Sequence, residues 1–298
     1  MPLGLLSLVE NKIGKVIASA IFAYVLYKWL FKRITIKAGE RVVLVGASSG
    51  IGKELAYQYA QRGARLLLVA RRQNLLEHVK QEAILMGPAE VHTLALDATT
   101  HAQEIANTCL QKLGGCDTLI VCMGVLSTHA FEDLCARTDP PLPSVMKDIF
   151  QVNVFGPMLC AQSFFPLLKE SRGRLTLVSS IAGVFAAPTR SLYSATKSAL
   201  NGFADSIRIE WKRHGISVTN ILPGSVKTEL RQRALDGSMG TEPLIKGISP
   251  LETARQIVKA TDARERQRFI PRFYGWVLLI KFIFPDLIDF FAARKYNY

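Results

Sequence analysis

The sequence predicts an α/β fold, a doubly wound and mostly parallel sheet flanked by helices, with apolar helical extensions at both ends. Three observations carry that prediction. From residue 41 onward, short apolar runs alternate with longer amphipathic ones, the pattern of βαβ units. A glycine-rich turn, Gly46-Ala-Ser-Ser-Gly50-Ile-Gly52, follows the first apolar run and opens an amphipathic one. Two strongly apolar stretches, residues 16–27 and 273–291, bracket the alternating region.

The first element is the run VIASAIFAYVLY over 16–27, which Trp29, Leu30 and Phe31 extend past Lys28. A helix over 16–31 would be roughly 24 Å long, short of the ~30 Å hydrocarbon core of a bilayer. Lys15 and Lys28 could snorkel, and Tyr24, Tyr27 and Trp29 suit an interfacial belt. The run leads into bulky, basic WLFKR rather than a small-residue cleavage site, so residues 1–37 read as an uncleaved anchor and basic linker. A soluble helix packed on the main domain is the alternative. Lys28, Lys32, Arg33 and Lys37 place more positive charge after the run than before it, which favours a cytoplasmic main domain.

Residues 38–268 read as one domain. Its expected strands are Arg41–Val45, Arg65–Val69, Val91–Ala95, Thr118–Cys122, Arg174–Ser179 and Ser217–Leu222, with helices such as Gly52–Gln61 and Leu192–Lys212 between them. Residues 139–143 form a Pro-rich loop. Residues 225–250, with Gly237, Gly240, Pro243, Gly247 and Pro250 after the last expected strand, suit a substrate lid. Residues 269–298 close the chain. Lys281, Pro285, Asp286 and Asp289 interrupt their apolar run too often for a spanning helix. A membrane-contacting helix, a lid over a lipophilic pocket, or a subunit contact fits them instead.

Composition narrows the function. The 37 Lys+Arg and 24 Asp+Glu leave +13, an excess that suits a membrane surface or a phosphorylated cofactor. The basic residues are scattered, with no zinc-finger or RNP-like motif, so nucleic acid is not expected. Five cysteines without a CxxC pair argue against a disulfide framework and a zinc site. His78, His92, His101, His129 and His214 have no metal-ligand spacing, and no metal is expected.

The glycine turn is where a dinucleotide would sit. Gly46, Gly50 and Gly52 permit the tight turn, and the backbone of Ser48, Ser49 and Ile51 then approaches a pyrophosphate at a helix N-terminus. The second strand ends at Arg71-Arg72 where an NAD site would carry an acid. A guanidinium pairs with a 2′-phosphate that an acid would repel, so NADP(H) is preferred.

Tyr193-Ser-Ala-Thr-Lys197 puts a phenol and an ammonium on one helical face. A tyrosine near its usual pKa of ~10 is a poor acid–base catalyst at neutral pH, and a neighbouring cation can lower it by roughly 1–3 pH units. Ser179-Ser180 lies thirteen residues upstream of the phenol, at the carboxyl end of an expected strand.

With Asp97 after the third strand and Pro223-Gly224 after the sixth, this ordered set resembles the short-chain dehydrogenase/reductase family over residues 41–230. The resemblance implies a Rossmann-type sheet, Ser180 on the substrate oxygen, Tyr193 as acid–base, and Lys197 on the nicotinamide ribose. It gives Asn153 a place in a water-linked proton relay. Asp97 and Ala98 match adenine contacts, Gly124 a close approach to the cofactor, and Pro223, Gly224, Val226 and Thr228 the carboxamide surroundings. Two departures stand out: Val45 replaces a threonine before the first glycine, and Val121-Cys122-Met123-Gly124 replaces Asn-Asn-Ala-Gly.

The layout is most similar to membrane-anchored hydroxysteroid dehydrogenases and 3-ketosphinganine reductases. It implies a membrane-associated oxidoreductase interconverting a lipophilic ketone and a secondary alcohol, at the endoplasmic reticulum or a lipid droplet, with a homodimer as a family expectation. A catalytically silent nucleotide-binding scaffold at a membrane is the competing class. A third reading, a basic protein binding acidic lipids or nucleic acid, predicts salt-dependent association without nicotinamide.

Overall fold

β1 (Arg41–Val45), β2 (Arg65–Ala70), β3 (Glu90–Ala95), β4 (Thr118–Val121), β5 (Arg174–Val178), β6 (Ser217–Pro223) and β7 (Gln267–Ile270) form one sheet in the order β3-β2-β1-β4-β5-β6-β7. Every neighbouring pair is parallel. The computed structural model describes residues 14–24, 39–87, 89–230, 234–235 and 247–298. Six strands match the sequence expectation to within a residue or two. The seventh was missed, so the 225–250 excursion precedes the last strand instead of following it. Most of that excursion lies outside the described residues.

The helices are α1 (Gly50–Ala60), α2 (Gln73–Met86), α3 (Ala102–Leu113), α4 (Phe131–Cys135), α5 (Leu142–Phe150), α6 (Gly156–Ser171), α7 (Ser191–Trp211), α8 (Pro250–Asp262), α9 (Tyr274–Ile283) and α10 (Pro285–Tyr296). Alternation along the strands feeds two cores. Val43 and Val45 of β1 face one side with Phe164 of α6 and Leu200 of α7. Val42 and Leu44 face the other, with Leu55 of α1 and Ile257 of α8. Both faces of the central strands are covered, which is why they read as continuous apolar runs.

The two ends of the sheet differ. At the amino ends, Arg174 is buried against Glu40, donates to Thr118 Oγ1 at 2.9 Å and lies 3.4 Å from Asp262, which Arg62 also meets at 3.0 Å. This network ties the entrances of β1, β4 and β5 to the ends of α1 and α8. At the carboxyl ends the strand order reverses between β1 and β4, opening a crevice.

The chain divides into two units, Met1–Thr35 and Ile36–Tyr298. In the first, residues 14–24 are helical. The remainder of the expected anchor lies outside the described residues, and no described helix is long and apolar enough to cross a membrane. The C-terminal apolar segment belongs to the second unit and folds as α9 and α10, broken before Pro285.

Candidate active site

A cavity of about 810 Å³ opens over the carboxyl ends of β1, β4, β5 and β6. At one end it is lined by Gly46, Ser48, Ser49, Gly50, Ile51, Arg71, Arg72, Asp97 and Ala98. The amides of Gly46 and Ala47 donate to Val69 O at 2.8 and 3.1 Å, tying the turn to β2. Gly46 has φ +90°, and a Cβ there would lie 2.8 Å from Met123 N, so only glycine fits. Gly52 does not line the cavity. A Cβ there would come within 2.1 Å of Gly46 O, so this glycine seats α1 under the turn.

The two arginines differ in placement. Arg72 Nη2 donates to Ser48 Oγ at 2.9 Å and Ser49 Oγ at 3.0 Å, which holds the guanidinium over the turn. Arg71 is exposed, 3.8 Å from Asp97, whose carboxylate also accepts from Thr99 N at 2.9 Å. The cavity's size, the close-approach glycines and the anchored cation beside a helix N-terminus all fit a phosphorylated dinucleotide.

Farther along, the lining brings together Gly124, Ser180, Tyr193, Lys197, Pro223, Gly224, Val226 and Thr228. Ser180 lies two residues past the end of β5 and caps a short 3₁₀ turn, its Oγ accepting from Ala182 N at 3.1 Å. Lys197, one turn along α7 from Tyr193, donates to Val178 O at 3.2 Å and sits 5.7 Å from the tyrosine ring centroid. Burial pushes Lys197 down to about 8, against an opposing influence from the Cys122 thiol.

The expectation that Lys197 lowers the Tyr193 pKa is not met. Burial raises the phenol, and the influences that oppose burial are the neighbouring Ser180 hydroxyl and the charge of Arg190. A single face of α7 was legible from spacing, whereas the depth of that face was not.

Asn153 is fully buried behind the cavity wall and does not line it. It lies in a π-helical turn, Gln151–Phe155, between α5 and α6. Its Oδ1 accepts from Val125 N at 2.9 Å, and its Nδ2 donates to Val125 O at 2.9 Å and Thr196 Oγ1 at 3.1 Å. Thr196 Oγ1 in turn donates to Tyr193 O at 2.7 Å. Asn153 thus braces the strand-end loop and the helix bearing Tyr193 together. Gly124 lies between Asn153 and Lys197, with a notional Cβ 3.4 Å from one and 3.7 Å from the other.

The remaining wall comes from the C-terminal segment, for which a lid over a lipophilic pocket is one of the three sequence readings. Tyr274, Val277, Ile280, Leu287, Phe291 and Tyr296 bring α9 and α10 onto the cavity. Tyr274 meets Phe185 at a tilt, with centroids 5.8 Å apart, and Lys281 donates to Val184 O. Arg190, just before α7, also lines this end, with no motif to mark it. Cys122 and Met123 line the wall where the family pattern carries asparagine and alanine. No group of His, Cys, Asp and Glu among the described residues could hold a metal.

Comparison with known proteins agrees with this architecture. A family model described as short chain dehydrogenase matches residues 40–238. The "11-beta-hydroxysteroid dehydrogenase-like 2" of Arabidopsis thaliana is 30% identical over 87% of this chain and 82% of its own length. The "Hydroxysteroid 11-beta-dehydrogenase 1-like protein A" of Xenopus laevis is 30% identical over 84% of each. Among solved structures, an alcohol dehydrogenase from the archaeon Thermococcus sibiricus complexed with 5-hydroxy-NADP superposes with a TM-score of 0.67. It shares 24% identity and covers 77% of this chain and 95% of its own, a likeness of fold.

Proposed function

The chain belongs to the short chain dehydrogenase family, and from that premise we propose that it is a membrane-associated, NADP(H)-dependent oxidoreductase interconverting a ketone and a secondary alcohol on a lipophilic, steroid-like substrate. The observation that carries the reaction type is the convergence of Ser180, Tyr193 and Lys197 on the same cavity as the glycine turn.

A bound nicotinamide supplies or accepts the hydride. The protein's own groups handle the proton and the positioning. Ser180 and Tyr193 line the same end of the cavity and present two hydroxyls to one substrate oxygen. In reduction the phenol gives its proton to that oxygen as the alcohol forms, and in oxidation the phenolate takes it back. Burial raises the phenol's pKa, which keeps it protonated at neutral pH. Lys197, buried and held by Val178 O, is positioned for the nicotinamide ribose. Arg72, braced by Ser48 and Ser49, is positioned for a 2′-phosphate, which supports NADP(H) over NAD(H). Asn153 fixes the loop bearing Gly124 and the helix bearing Tyr193.

The apolar wall from α9 and α10 supports a lipophilic substrate, as do the printed names of the relatives. The outer face of the same helices carries Trp276 at 72% and Phe282 at 90% exposure, with Arg272, Lys281, Arg294 and Lys295 nearby in sequence. Apolar side chains flanked by cations suit the headgroup boundary of a membrane, such as the cytoplasmic face of the endoplasmic reticulum.

The test is turnover of a panel of lipophilic ketones and alcohols, with NADPH or NADP+, against Tyr193→Phe. Turnover should fall by about 10²–10⁴-fold with dinucleotide binding retained. Undiminished turnover in the variant would overturn the assignment, and a physiological role that survives it would restore the scaffold reading.

A further inference from the structure

We propose that Asn201 and Asn220 are positioning residues for the reaction: together they clamp the turn that follows Ser180 against the helix that carries Tyr193 and Lys197. The proposal rests on the oxidoreductase reading and adds two residues to that same site.

Ser180 and the Tyr193–Lys197 pair stand on separate elements, so two hydroxyls meet one oxygen only if those elements keep a fixed register. Ser180 opens the 3₁₀ turn Ile181–Gly183, and Gly183 N donates back to Ser180 O at 3.1 Å. At Gly183 the turn meets α7. A Cβ on Gly183 would come within 2.6 Å of Lys197 C and 2.8 Å of Lys197 O. The backbone of the turn therefore rests directly on the backbone of the helix at the lysine.

Polar contacts hold that approach. Gly183 O accepts from Ser198 Oγ at 3.0 Å and from Asn201 Nδ2 at 3.2 Å, both on α7. Asn201 continues the spacing of four that links Tyr193 to Lys197, which puts it on the next turn of that helix face. Its Oδ1 accepts in turn from Asn220 Nδ2 on β6, at 3.0 Å. Ser179 Oγ donates to Lys197 O at 3.3 Å.

The order of the two amides is forced. A carbonyl only accepts, so Asn201 must offer its NH₂ to Gly183. The Asn201 oxygen is then left for Asn220, which must also offer NH₂. The chain of donors runs one way, from the sheet through the helix to the turn. Asn220 is 4% exposed, and its Oδ1 has no partner among the described residues. An apolar pair of similar size would leave no such orphan, so stability alone does not account for the two amides. A fixed register does, since a misplacement of about 1 Å costs about 10²-fold in rate.

Single-turnover reduction of the best ketone of the lipophilic panel by NADPH, run beside amide hydrogen exchange, tests the clamp. Exchange at residues 183–185 should quicken by roughly 10-fold in Asn201→Leu, with β5 unchanged. The rate of reduction should fall by roughly 10–100-fold, with Kd for NADPH within about 3-fold of native. In a Ser180→Ala background the same substitution should cost less than about 3-fold, because the register it protects no longer matters. Asn220→Leu should repeat this pattern at roughly 3–10-fold. Ser198→Ala, at an exposed helical position where folding is not at stake, should repeat it at roughly 2–5-fold. Equal falls in both backgrounds, an unmoved rate, or unmoved exchange would overturn the proposal. Exchange that quickens selectively in a chain reducing none of the ketones strikes the oxidoreductase reading and leaves the clamp standing.

Discussion

Asn153 grips the backbone of Val125 at two points, accepting from its N–H and donating to its C=O, both at 2.9 Å. The side chain is fully buried, so no water can replace either bond. Asn153→Ala should therefore cost about 1–3 kcal/mol of stability, the penalty for leaving buried backbone groups unpaired. Chemical denaturation reads this directly. A loss under about 0.5 kcal/mol would show that the loop re-pairs elsewhere.

Arg72 is placed to recognise coenzyme by charge. Arg72→Gln should weaken NADPH binding by about 10–100-fold, the value of a charge-assisted hydrogen bond to phosphate. NADH should change by less than about 3-fold, since it has no 2′-phosphate to lose. Fluorescence titration of both coenzymes decides, and an equal fall for the two would assign the 2′-phosphate contact to another group.

Lys197 gives a pH signature with two readouts. Its folded pKa of about 8 lies below the usual lysine value near ~10.4, so the unfolded chain binds more protons between them. The buried ammonium is thus a penalty below pH 8 that fades as pH rises toward ~10.4. The thermal stability of Lys197→Met relative to the native chain should accordingly be most favourable near neutrality and shrink with rising pH. Cys122 and Cys160, which burial pushes up to about 12, work oppositely. Their contribution is full below the usual thiol value near ~8.5 and is lost as pH rises toward 12. Cys160 is common to both proteins and cancels in the difference, whereas Cys122, which interacts with Lys197, shifts with the substitution and bears on the range above its usual value. In the second readout, affinity for the anionic dinucleotide should fall as pH passes 8 in the native chain, and stay flat in Lys197→Met.

Arg174 carries the other end of the sheet. Removing its guanidinium leaves Glu40 and Asp262 buried together without that cation. Arg174→Met should cost about 3–5 kcal/mol. Replacing Arg174 and Glu40 together by apolar residues of similar size should recover much of that loss. A double variant as unstable as the single one would contradict this account. Because the network lies at the strands' amino ends, coenzyme affinity of the folded fraction should stay within about 3-fold of native.

Six strands and the dinucleotide turn were legible because parallel strands buried on both faces leave uninterrupted apolar runs, and because a tight turn demands glycine. β7 was not legible. Its four residues, Gln267–Ile270, carry Gln and Arg in an edge position with only alternate residues buried, too short for periodicity to register. Among site residues, Ser180, Tyr193 and Lys197 could be read from order and spacing. Arg190 could not, because a single arginine after Pro188 and Thr189 looks like any surface loop until the fold buries it. The protonation behaviour of Tyr193 was misread for a related reason: spacing records neighbours but not depth.

The wall formed by α9 and α10 has a practical consequence. One wall of the cavity comes from the final twenty-five residues, a stretch that contributes no strand to the sheet. A chain clipped near Arg272, or fused at Tyr298 to a bulky tag, would keep its sheet and its dinucleotide cradle while losing the surface that chooses what is reduced. Tags for this protein belong away from that end, and chimaeras that exchange only the tail between relatives offer a direct route to new selectivity.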